Sequence, residues 1–310
     1  MSAEPKPNAR DWAAYNRALI ERGSLTVWID EDAFSTWLGP RDTGTRGRPF
    51  VYSDSAVEMV LTLRELYRLP LRSAQGFARS IFRCIGVALP VPDYSTLSRR
   101  AGRLAIDLGA APASGGRVLL IDSTGMKVFG EGEWKVRQHG YSKRRTWRKL
   151  HLAVDAATQE VVAVVLTGNA ATDAAQVPEL FGEVDEAVEG IKADGAYDQE
   201  SVYAAAEARG AVPVIPPRRG AVIHKHGNKS GPKLARDENV RGVRRYGRKR
   251  WKQMTGYHER SLSETAMFRV KSAFGGHLKH RLMENQRVEA RIKCKILNRF
   301  TRLGLLTHRR

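Results

Sequence analysis

The chain has 310 residues, 42% of them hydrophobic, which is enough to bury a sizeable core and excludes a disordered protein. Its 52 Lys and Arg residues outnumber 33 Asp and Glu residues, and the net charge of +19 predicts a polyanionic partner, with nucleic acid expected first and an anionic membrane surface as the alternative. Since no apolar run is long enough to span a bilayer and the first residues lack the apolar segment of a secretory signal, we expect a cytoplasmic protein.

Residues 1–52 are predicted to form a basic N-terminal arm. They are polar and interrupted by Gly and Pro, apart from one amphipathic stretch at residues 11–23. Arg46 and Arg48 flank a glycine in an extended strip, which is the pattern of an arm that enters the minor groove of DNA. A plain basic loop is the alternative interpretation, because the motif is short.

Residues 53–112 are predicted to form an all-helical DNA-binding domain. Apolar residues recur with a period near 3.6 in two successive segments, and a third helix is predicted after Asp93, a good N-cap residue. Short hydroxyl side chains and arginines lie at the start of that helix, as in the recognition helix of a helix-turn-helix domain. These candidate DNA contacts are Ser95, Thr96, Ser98, Arg99 and Arg100. A small helical bundle with a solvated basic face is the alternative.

Residues 113–217 have an α/β pattern. The predicted order is three strands, a helix, a strand, a helix and a fifth strand. That order favours a mixed five-stranded sheet, antiparallel first and parallel later, with helices on both faces. The first strand is expected to end in a polar turn directly after the apolar run of residues 118–121.

Two aspartates of this region are candidates for a functional site. Asp122 follows the apolar run of the first strand, and Asp194 follows the fourth strand. A charge directly after a buried strand is costly unless it is solvated, paired or bound to metal, and ligand sites of open α/β sheets lie at such strand ends. A structural aspartate that bonds its own turn is the alternative for each. Because Mg²⁺ needs several oxygen ligands, a third acid is expected nearby.

Glu264 is the candidate for that third acid. It lies on a predicted helix, where residues three, four and seven positions apart share one stripe. The residues on its stripe are Tyr257, Arg260, Phe268 and Lys271. A second stripe, expected to face the core, contains Leu262, Ala266, Val270 and Ala273. The alternative is an ion pair between Arg260 and Glu264 on a solvated surface, worth about a few tenths of a kcal/mol.

Residues 218–256 break the α/β pattern. They contain 13 Lys or Arg residues against two acids, Asp237 and Glu238, with many glycines and few apolar residues. We expect a basic insertion or long loop that packs no core of its own and is neutralised by phosphates. Helical structure is expected to return at Tyr257, and residues 257–310 are predicted to be C-terminal helices that complete the α/β core.

The spacing of Tyr257, Arg260, Glu264 and Lys271 resembles a known signature. Two, three and six residues separate them, as in the Y-(2)-R-(3)-E-(6)-K signature of bacterial insertion-sequence DDE transposases. The chain resembles in particular the insertion-sequence-five family, in the branch that flanks the kanamycin-resistance transposon. The resemblance also covers the segments RGRP, AQGF, PDYSTLSRRA, IDSTGMKVFGEGEWKV, WRKLHLAVD, ADGAYD and IPPR, and so spans nearly the whole chain.

The resemblance implies a catalytic core similar to ribonuclease H. It implies that Asp122, Asp194 and Glu264 are the catalytic acids and bind two Mg²⁺ ions, for which Mn²⁺ would substitute. It also implies that Tyr257, Arg260 and Lys271 lie at a DNA phosphate in the active site. Residues 218–256 are the part that resembles the family least.

The implied function is a transposase that acts on double-stranded DNA. It would bind the terminal inverted repeats of an insertion sequence, cleave DNA at its ends and join the 3′-OH ends to target DNA by two-metal phosphoryl transfer. Lys143, Arg144 and Arg145 would hold the flanking DNA backbone, with a solvated hairpin as the alternative. Because two ends must be held at once, a homodimer or a larger assembly is implied, associated with the nucleoid when bound.

Other functions are compatible with the same residues. The main alternative is a catalytically inactive, domesticated transposase that acts as a sequence-specific DNA-binding regulator. A structure-directed nuclease of ribonuclease H type and a basic RNA-binding protein are further hypotheses. The presence of all three acids favours an active enzyme.

Overall fold

A computed structural model of the chain describes residues 12–29, 32–39, 50–113, 115–128, 147–225 and 233–305. The chain divides into two compact units. Unit 1 comprises residues 1–104 and 296–310, and unit 2 comprises residues 105–295. No helix within the described residues is long and apolar enough to cross a membrane.

Unit 1 is built from helices. They are α1 (Trp12–Glu21), α2 (Leu25–Trp28), α3 (Asp32–Ser35), α4 (Asp54–Leu66), α5 (Leu71–Cys84) and α6 (Tyr94–Ala101). The last three pack against one another and bury Val60, Ala78 and Leu97 completely, as the 3.6-residue periods predict. The C-terminal helix, α12 (Met283–Leu305), contributes its last part to this unit, where Phe300 packs edge-on against Trp28 with ring centroids 5.5 Å apart.

Unit 2 is built on a mixed sheet. Within the described residues its six strands are β1 (Arg117–Val128), β2 (Trp147–Asp155), β3 (Val161–Gly168), β4 (Val188–Lys192), β5 (Val212–Val214) and β6 (His277–Leu278). Their order is β3-β2-β1-β4-β5, and β6 pairs with the far end of β1. The first three strands are antiparallel, whereas β4 and β5 continue the sheet in parallel, as predicted. The sheet has one strand more than predicted, and its architecture is consistent with a ribonuclease H-like fold.

The helices of unit 2 cover both faces of this sheet. They are α7 (Val177–Gly182), α8 (Glu200–Ala208), α9 (Ala235–Tyr246), α10 (Arg248–Met254), α11 (Ser261–Phe274) and the first part of α12. Side chains alternate along β1, so Leu119 and Ile121 join the core formed with α7 and α8. Asp122 therefore points to the opposite face, on which α11 packs against β1 and β2.

The first strand is longer than predicted, so Asp122 lies in its middle and not at its end. The polar residues 123–125, expected to form a turn, continue the strand to Val128. β2 pairs with this part as far as Lys127 and Trp147, and β6 pairs with it from the other side. Strand pairing satisfies the backbone groups here and overrides the local preference for a turn.

The expectation that residues 218–256 pack no core is wrong. Their described part contains α9 and α10, which bury Trp251 and Val240. The two helices meet closely at Gly242, where a side chain would come within 2.7 Å of the Trp251 ring. The carboxylate of the fully buried Asp237 accepts the backbone N–H groups of residues 224 and 225, at 3.0 and 2.7 Å, and so fixes the preceding loop.

Candidate active site

Asp122 and Asp194 occupy equivalent positions along two neighbouring strands. β1 and β4 run parallel, and the last pair in their register joins Leu120 to Lys192. Each aspartate follows its member of that pair by two residues, so the two backbones reach them side by side. β4 ends at Lys192, and among the described residues no strand pairs with this edge of β1 again before Lys127. The aspartates therefore lie just beyond the point at which the pairing of β1 with β4 ends.

Both aspartates also fix their own backbone, which is the structural role considered as the alternative. Oδ1 of Asp122 accepts the N–H of Ser123 at 2.8 Å. Oδ1 of Asp194 accepts the N–H of Ala196 at 2.8 Å and caps the short 3₁₀ turn Gly195–Tyr197. Because each of these bonds uses only Oδ1, it orients the carboxylate without consuming Oδ2.

α11 brings the third acid to this opening. The buried face of the helix consists of Ser263, Ala266, Met267, Val270 and Phe274. These positions recur every three or four residues, which leaves the opposite stripe to solvent. Glu264 lies on that stripe in the first turn, with its side chain 56% exposed. The predicted core stripe is confirmed for Ala266 and Val270, whereas Leu262 and Ala273 are only half-buried.

Arg260 connects the helix acid to the sheet acid. Its Nη1 lies 3.3 Å from Oδ2 of Asp122, and its Nη2 donates to Oε1 of Glu264. The i,i+4 ion pair given as the alternative therefore exists, but it includes Asp122 as well. The side chains of Arg260 and Asp122 are 17% and 18% exposed, so this pair is much drier than an ordinary surface ion pair.

The carboxylates influence one another electrostatically. Burial raises the pKa of Asp122, and the negative charges of Asp194 and Glu264 raise it further, whereas the Ser123 N–H and the Arg260 guanidinium lower it. Asp122 is thus a carboxylate that is costly to keep ionised in the free protein. A bound cation would relieve that cost.

Lys192 holds the start of the α11 segment against the end of β4. Its Nζ donates to the carbonyl of Gly256 at 2.9 Å and to Oε2 of Glu259 at 2.8 Å. Gly256 has a φ of 61°, and a side chain there would come within 3.0 Å of that Nζ. Lys192 precedes Asp194 by two residues, so one ammonium group connects the end of the strand before Asp194 to the turn that carries Arg260. The sequence did not identify it, although a lysine at the end of a buried strand was a usable signal.

Tyr257 is a packing residue in the free protein. It is 8% exposed, and its ring lies 6.1 Å from the Trp251 ring. Nζ of Lys252 lies 4.8 Å from the Tyr257 centroid, and burial raises the pKa of the tyrosine hydroxyl. Tyr257 therefore links α10 to the turn Tyr257–Arg260. Of the two cations in the Tyr257, Arg260, Glu264 and Lys271 signature, Lys271 is the exposed one.

Two family models described as "Transposase DDE domain" match the chain, one over residues 20–131 and the other over residues 113–299. The second match covers more than half of the chain and includes all three candidate acids. The chain belongs to the DDE transposase family. Membership implies a DNA-processing enzyme with DNA as its partner, as the charge and the carboxylates predict. The insertion-sequence-five assignment and its kanamycin-transposon branch stay predictions.

The chemistry of the three acids fits the divalent metal that DDE transposases generally use. Carboxylate oxygens are the hard ligands that Mg²⁺ and Mn²⁺ prefer, and burial, with a smaller contribution from the charges of Asp194 and Glu264, raises the pKa of Asp122. In the part of the chain that the structure describes, however, no three His, Cys, Asp or Glu side chains are grouped so that they could hold a metal ion. Arg260 provides the positive charge between Asp122 and Glu264.

The predicted DNA contacts of this transposase on α6 differ in availability. The hydroxyls of Ser95 and Thr96 donate to Asp93, at 2.6 and 2.9 Å, and so strengthen the N-cap of α6. Arg100 is 7% exposed, and its guanidinium binds the carbonyl of Tyr52 and the carboxylate of Asp54. Arg100 therefore ties α6 to α4, and its use for DNA contact is disfavoured. Ser98 and Arg99 are exposed.

The remaining predicted DNA contacts of the transposase lie outside the described residues. They are Arg46, Arg48, Lys143, Arg144 and Arg145. Of the two basic residues that follow, Arg148 donates to Oε1 of Gln286 at 2.9 Å, and Lys149 donates to the carbonyl of Ala171 at 2.8 Å. These two cations thus have structural partners within unit 2.

Proposed function

We propose that this transposase binds the terminal inverted repeats of an insertion sequence of the insertion-sequence-five family, cleaves DNA at its ends and joins the freed 3′-OH ends to target DNA. The observation that supports this most is the link between acids from distant parts of the chain. Asp122 and Asp194 follow a paired position of two adjacent parallel strands by two residues each, and Arg260 connects Glu264 to Asp122. Such a link is expected of a catalytic site and not of a solvated helix surface.

The three carboxylates would hold two Mg²⁺ ions, or Mn²⁺ in their place, which supply activation of the attacking oxygen and stabilisation of the leaving oxygen. The backbone bonds to Oδ1 keep Asp122 and Asp194 oriented for this role. Arg260 would leave both carboxylates when DNA binds and would pair with a phosphate near the scissile bond. Lys271, exposed on the same stripe as Glu264, would contact the adjacent backbone. Neither a serine nor a tyrosine nucleophile is needed.

A basic surface beside the site supports duplex DNA as the partner. We name it the basic elbow: the exposed cations around the α9–α10 junction, Arg244, Arg245, Arg248, Lys249 and Arg250. Arg244 and Arg248 also donate to the carbonyls of residues 221 and 217, which fixes them in place. α10 packs against the turn Tyr257–Arg260, so the basic elbow and the turn that carries Arg260 are connected through this contact. In this proposal it holds the DNA backbone that leads to the scissile phosphate.

Recognition of the DNA ends is assigned to unit 1 in this proposal. The packed helices α4, α5 and α6 would form the helix-turn-helix domain, with the exposed Ser98 and Arg99 of α6 as its first base or phosphate contacts. Two ends must be held together during the reaction, so the active form would be a homodimer or a larger assembly. It would act in the cytoplasm, on the nucleoid.

The decisive experiment is metal-dependent cleavage of a duplex that carries the terminal sequences flanking the gene. The wild-type protein is expected to nick this duplex with Mg²⁺ or Mn²⁺ and to be inactive with EDTA. Asp122→Asn, Asp194→Asn and Glu264→Gln should each abolish nicking and retain binding of the duplex. Glu207→Gln, at an exposed acid on α8, is the matched control and should nick normally.

The outcomes separate the alternative functions. Specific binding without cleavage under any metal condition would identify the DNA-binding regulator. Cleavage that does not depend on the terminal repeats would identify a ribonuclease H-type nuclease. Normal cleavage by the Asp122→Asn protein would contradict the assignment of the site.

A further inference from the structure

Asp198 is a buried acid that follows the candidate ligand Asp194 by four residues. Its side chain is 0% exposed. Only the 3₁₀ turn Gly195–Tyr197 separates the two aspartates, and hydrogen bonds close this turn from both ends. Oδ1 of Asp194 accepts the N–H of Ala196 at 2.8 Å, and the N–H of Asp198 donates to the carbonyl of Gly195 at 3.3 Å. The backbone between the two acids is therefore short and tightly bonded, so a displacement of Asp198 displaces Asp194 as well.

Three different elements donate hydrogen bonds to the Asp198 carboxylate. The hydroxyl of Tyr203, on α8, lies 3.2 Å from Oδ1, and Nε of Arg236, on α9, lies 3.0 Å from the same oxygen. Oδ2 accepts the backbone N–H of Arg218 at 2.9 Å and lies 3.4 Å from Nη2 of Arg236. Since a buried charge that loses a donor is left uncompensated, these bonds hold Asp198 strongly in one place.

The side chain of Arg218 holds the same turn directly. Its guanidinium donates to the carbonyls of residues 195 and 196, at 3.4 and 3.3 Å. Two arginines of the basic elbow fix the loop that carries it, because Arg248 and Arg244 donate to the carbonyls of residues 217 and 221. Residues 218–256 therefore reach the turn after Asp194 by two routes, through this loop and through Arg236 of α9.

We propose that Asp198 is the positioning residue of Asp194. It holds the turn after Asp194 against residues 218–256, so that this carboxylate keeps the orientation in which it binds a divalent cation. The inference rests on the proposed function, in which Asp194 is a metal ligand. Loss of a group that orients a metal ligand commonly lowers metal affinity by about 10- to 100-fold. The basic segment thus has a role besides contact with DNA, since it braces one of the three acids.

Hydrogen exchange followed by mass spectrometry, in EDTA and without DNA, tests the positioning. In Asp198→Asn the amides of residues 195–198 should exchange at least about tenfold faster than in the wild type, because the ion pair with Arg236 is lost. Arg236→Gln leaves the Arg218 and Tyr203 donors in place and should have the same effect, and it replaces Asp198→Asn if that variant does not fold. Arg236→Lys keeps the charge and should exchange more slowly than Arg236→Gln.

Manganese binding followed by electron paramagnetic resonance is the second readout. Asp198→Asn should bind Mn²⁺ about 10- to 100-fold more weakly than the wild type. Asp194→Asn, which removes the ligand itself, should bind at least as weakly. Glu183→Gln is the matched control, because it breaks an ion pair with Arg291 in the same unit, ahead of β4, whereas Asp194 follows β4. It should keep wild-type exchange at residues 195–198 and wild-type affinity for Mn²⁺.

The outcomes distinguish a positioning role from a purely structural one. Unchanged exchange at residues 195–198 in Asp198→Asn and Arg236→Gln would overturn the proposal. Faster exchange with unchanged Mn²⁺ affinity would also overturn it, as would an equal loss of Mn²⁺ affinity in Glu183→Gln. Wild-type affinity for Mn²⁺ in Asp194→Asn would refute the premise that this acid is a ligand, and the proposal with it. Neither readout requires cleavage, so a wild-type protein that fails to nick DNA but shows both effects would refute the proposed function and retain the role of Asp198.

Discussion

Nη1 of Arg260 lies 3.3 Å from Oδ2 of Asp122, although 138 residues separate the two in the sequence. The same guanidinium donates to Glu264, so one cation neutralises an acid of the sheet and an acid of the helix. Any divalent ion that uses these two carboxylates must compete with this arginine. Arg260 therefore opposes metal binding in the free protein, while in the proposed reaction it serves at the phosphate.

Replacing Arg260 is expected to separate these two effects. Arg260→Ala should bind Mn²⁺ about fivefold more tightly without DNA, because an attraction of about 1 kcal/mol no longer competes. The same variant should cleave DNA about 100-fold more slowly, because a group that stabilises the phosphate is lost. Manganese titration followed by electron paramagnetic resonance measures the first effect, and a nicking assay measures the second. Arg287→Ala, at an exposed arginine of α12, should change neither; weaker Mn²⁺ binding by Arg260→Ala would refute the competition.

Lys192 is expected to matter for both stability and catalysis. Lys192→Met should lower the free energy of unfolding by about 1–3 kcal/mol, because two bonds of a buried ammonium group are lost. It should also slow cleavage at temperatures where the variant is fully folded, since the turn that carries Arg260 is no longer fixed to β4. Glu259→Gln should cost less than about 1 kcal/mol, because Glu259 is 53% exposed. Lys249→Met on the surface should unfold like the wild type in chemical denaturation, and an equal loss there would discount the role of Lys192.

The basic elbow is expected to control the salt dependence of DNA binding. If Arg245, Lys249 and Arg250 each contact one phosphate, the triple alanine variant should lower the slope of log K against log salt by about 2.7. Fluorescence anisotropy over a salt series measures that slope. Three lysines or arginines exposed elsewhere in unit 2, Arg219, Lys233 and Arg287, form the control set. Equal changes in both variants would indicate a general charge effect and remove the elbow from the DNA path.

His151 is expected to make the fold sensitive to acid. It is completely buried on β2, where its Nε2 lies 2.9 Å from Oγ1 of Thr167. Burial lowers the pKa of His151 to about 4, although the nearby Asp173 opposes the shift and Lys149 adds to it. An unfolded histidine titrates near pH 6.5, so between about pH 6.5 and 4 only the unfolded chain binds this proton. Stability should therefore fall as the pH is lowered through this window, by at most about 3 kcal/mol.

Denaturant unfolding at several pH values tests this expectation. The stability of His151→Gln should vary less between pH 6.5 and 4 than that of the wild type, whatever its stability at neutral pH. His258→Gln, at an exposed histidine, should keep the wild-type dependence. An unchanged slope in His151→Gln would assign the acid sensitivity to other groups.

The sequence predicted the elements with a regular apolar period and the charged residues that are costly to place next to a buried strand. Regular apolar periods predicted α4, α5 and α6, the apolar runs predicted the succession of strands and helices along residues 113–217, and a charge after an apolar run marked Asp122 and Asp194. The extension of β1 beyond Asp122 was missed, because residues 123–125 prefer a turn locally and only pairing with β2 and β6 keeps them extended. The helices of residues 235–254 were missed because they contain many cations and too few apolar residues to show a helical period. One tryptophan, Trp251, provides much of their packing. Lys192 was missed because its partners lie more than sixty residues away.

The C-terminal helix determines when the helical unit can complete its folding during protein synthesis. Residues up to 295 belong to the unit with the candidate acids, and residues from 296 onward belong to the helical unit, where Arg22 donates to the carbonyl of Phe300 at 3.1 Å. The helical unit therefore lacks part of its contacts until the segment from residue 296 onward has been synthesised, whereas every residue of the other unit precedes that segment. Premature termination at residue 295 should therefore yield a product whose helical unit is incompletely packed.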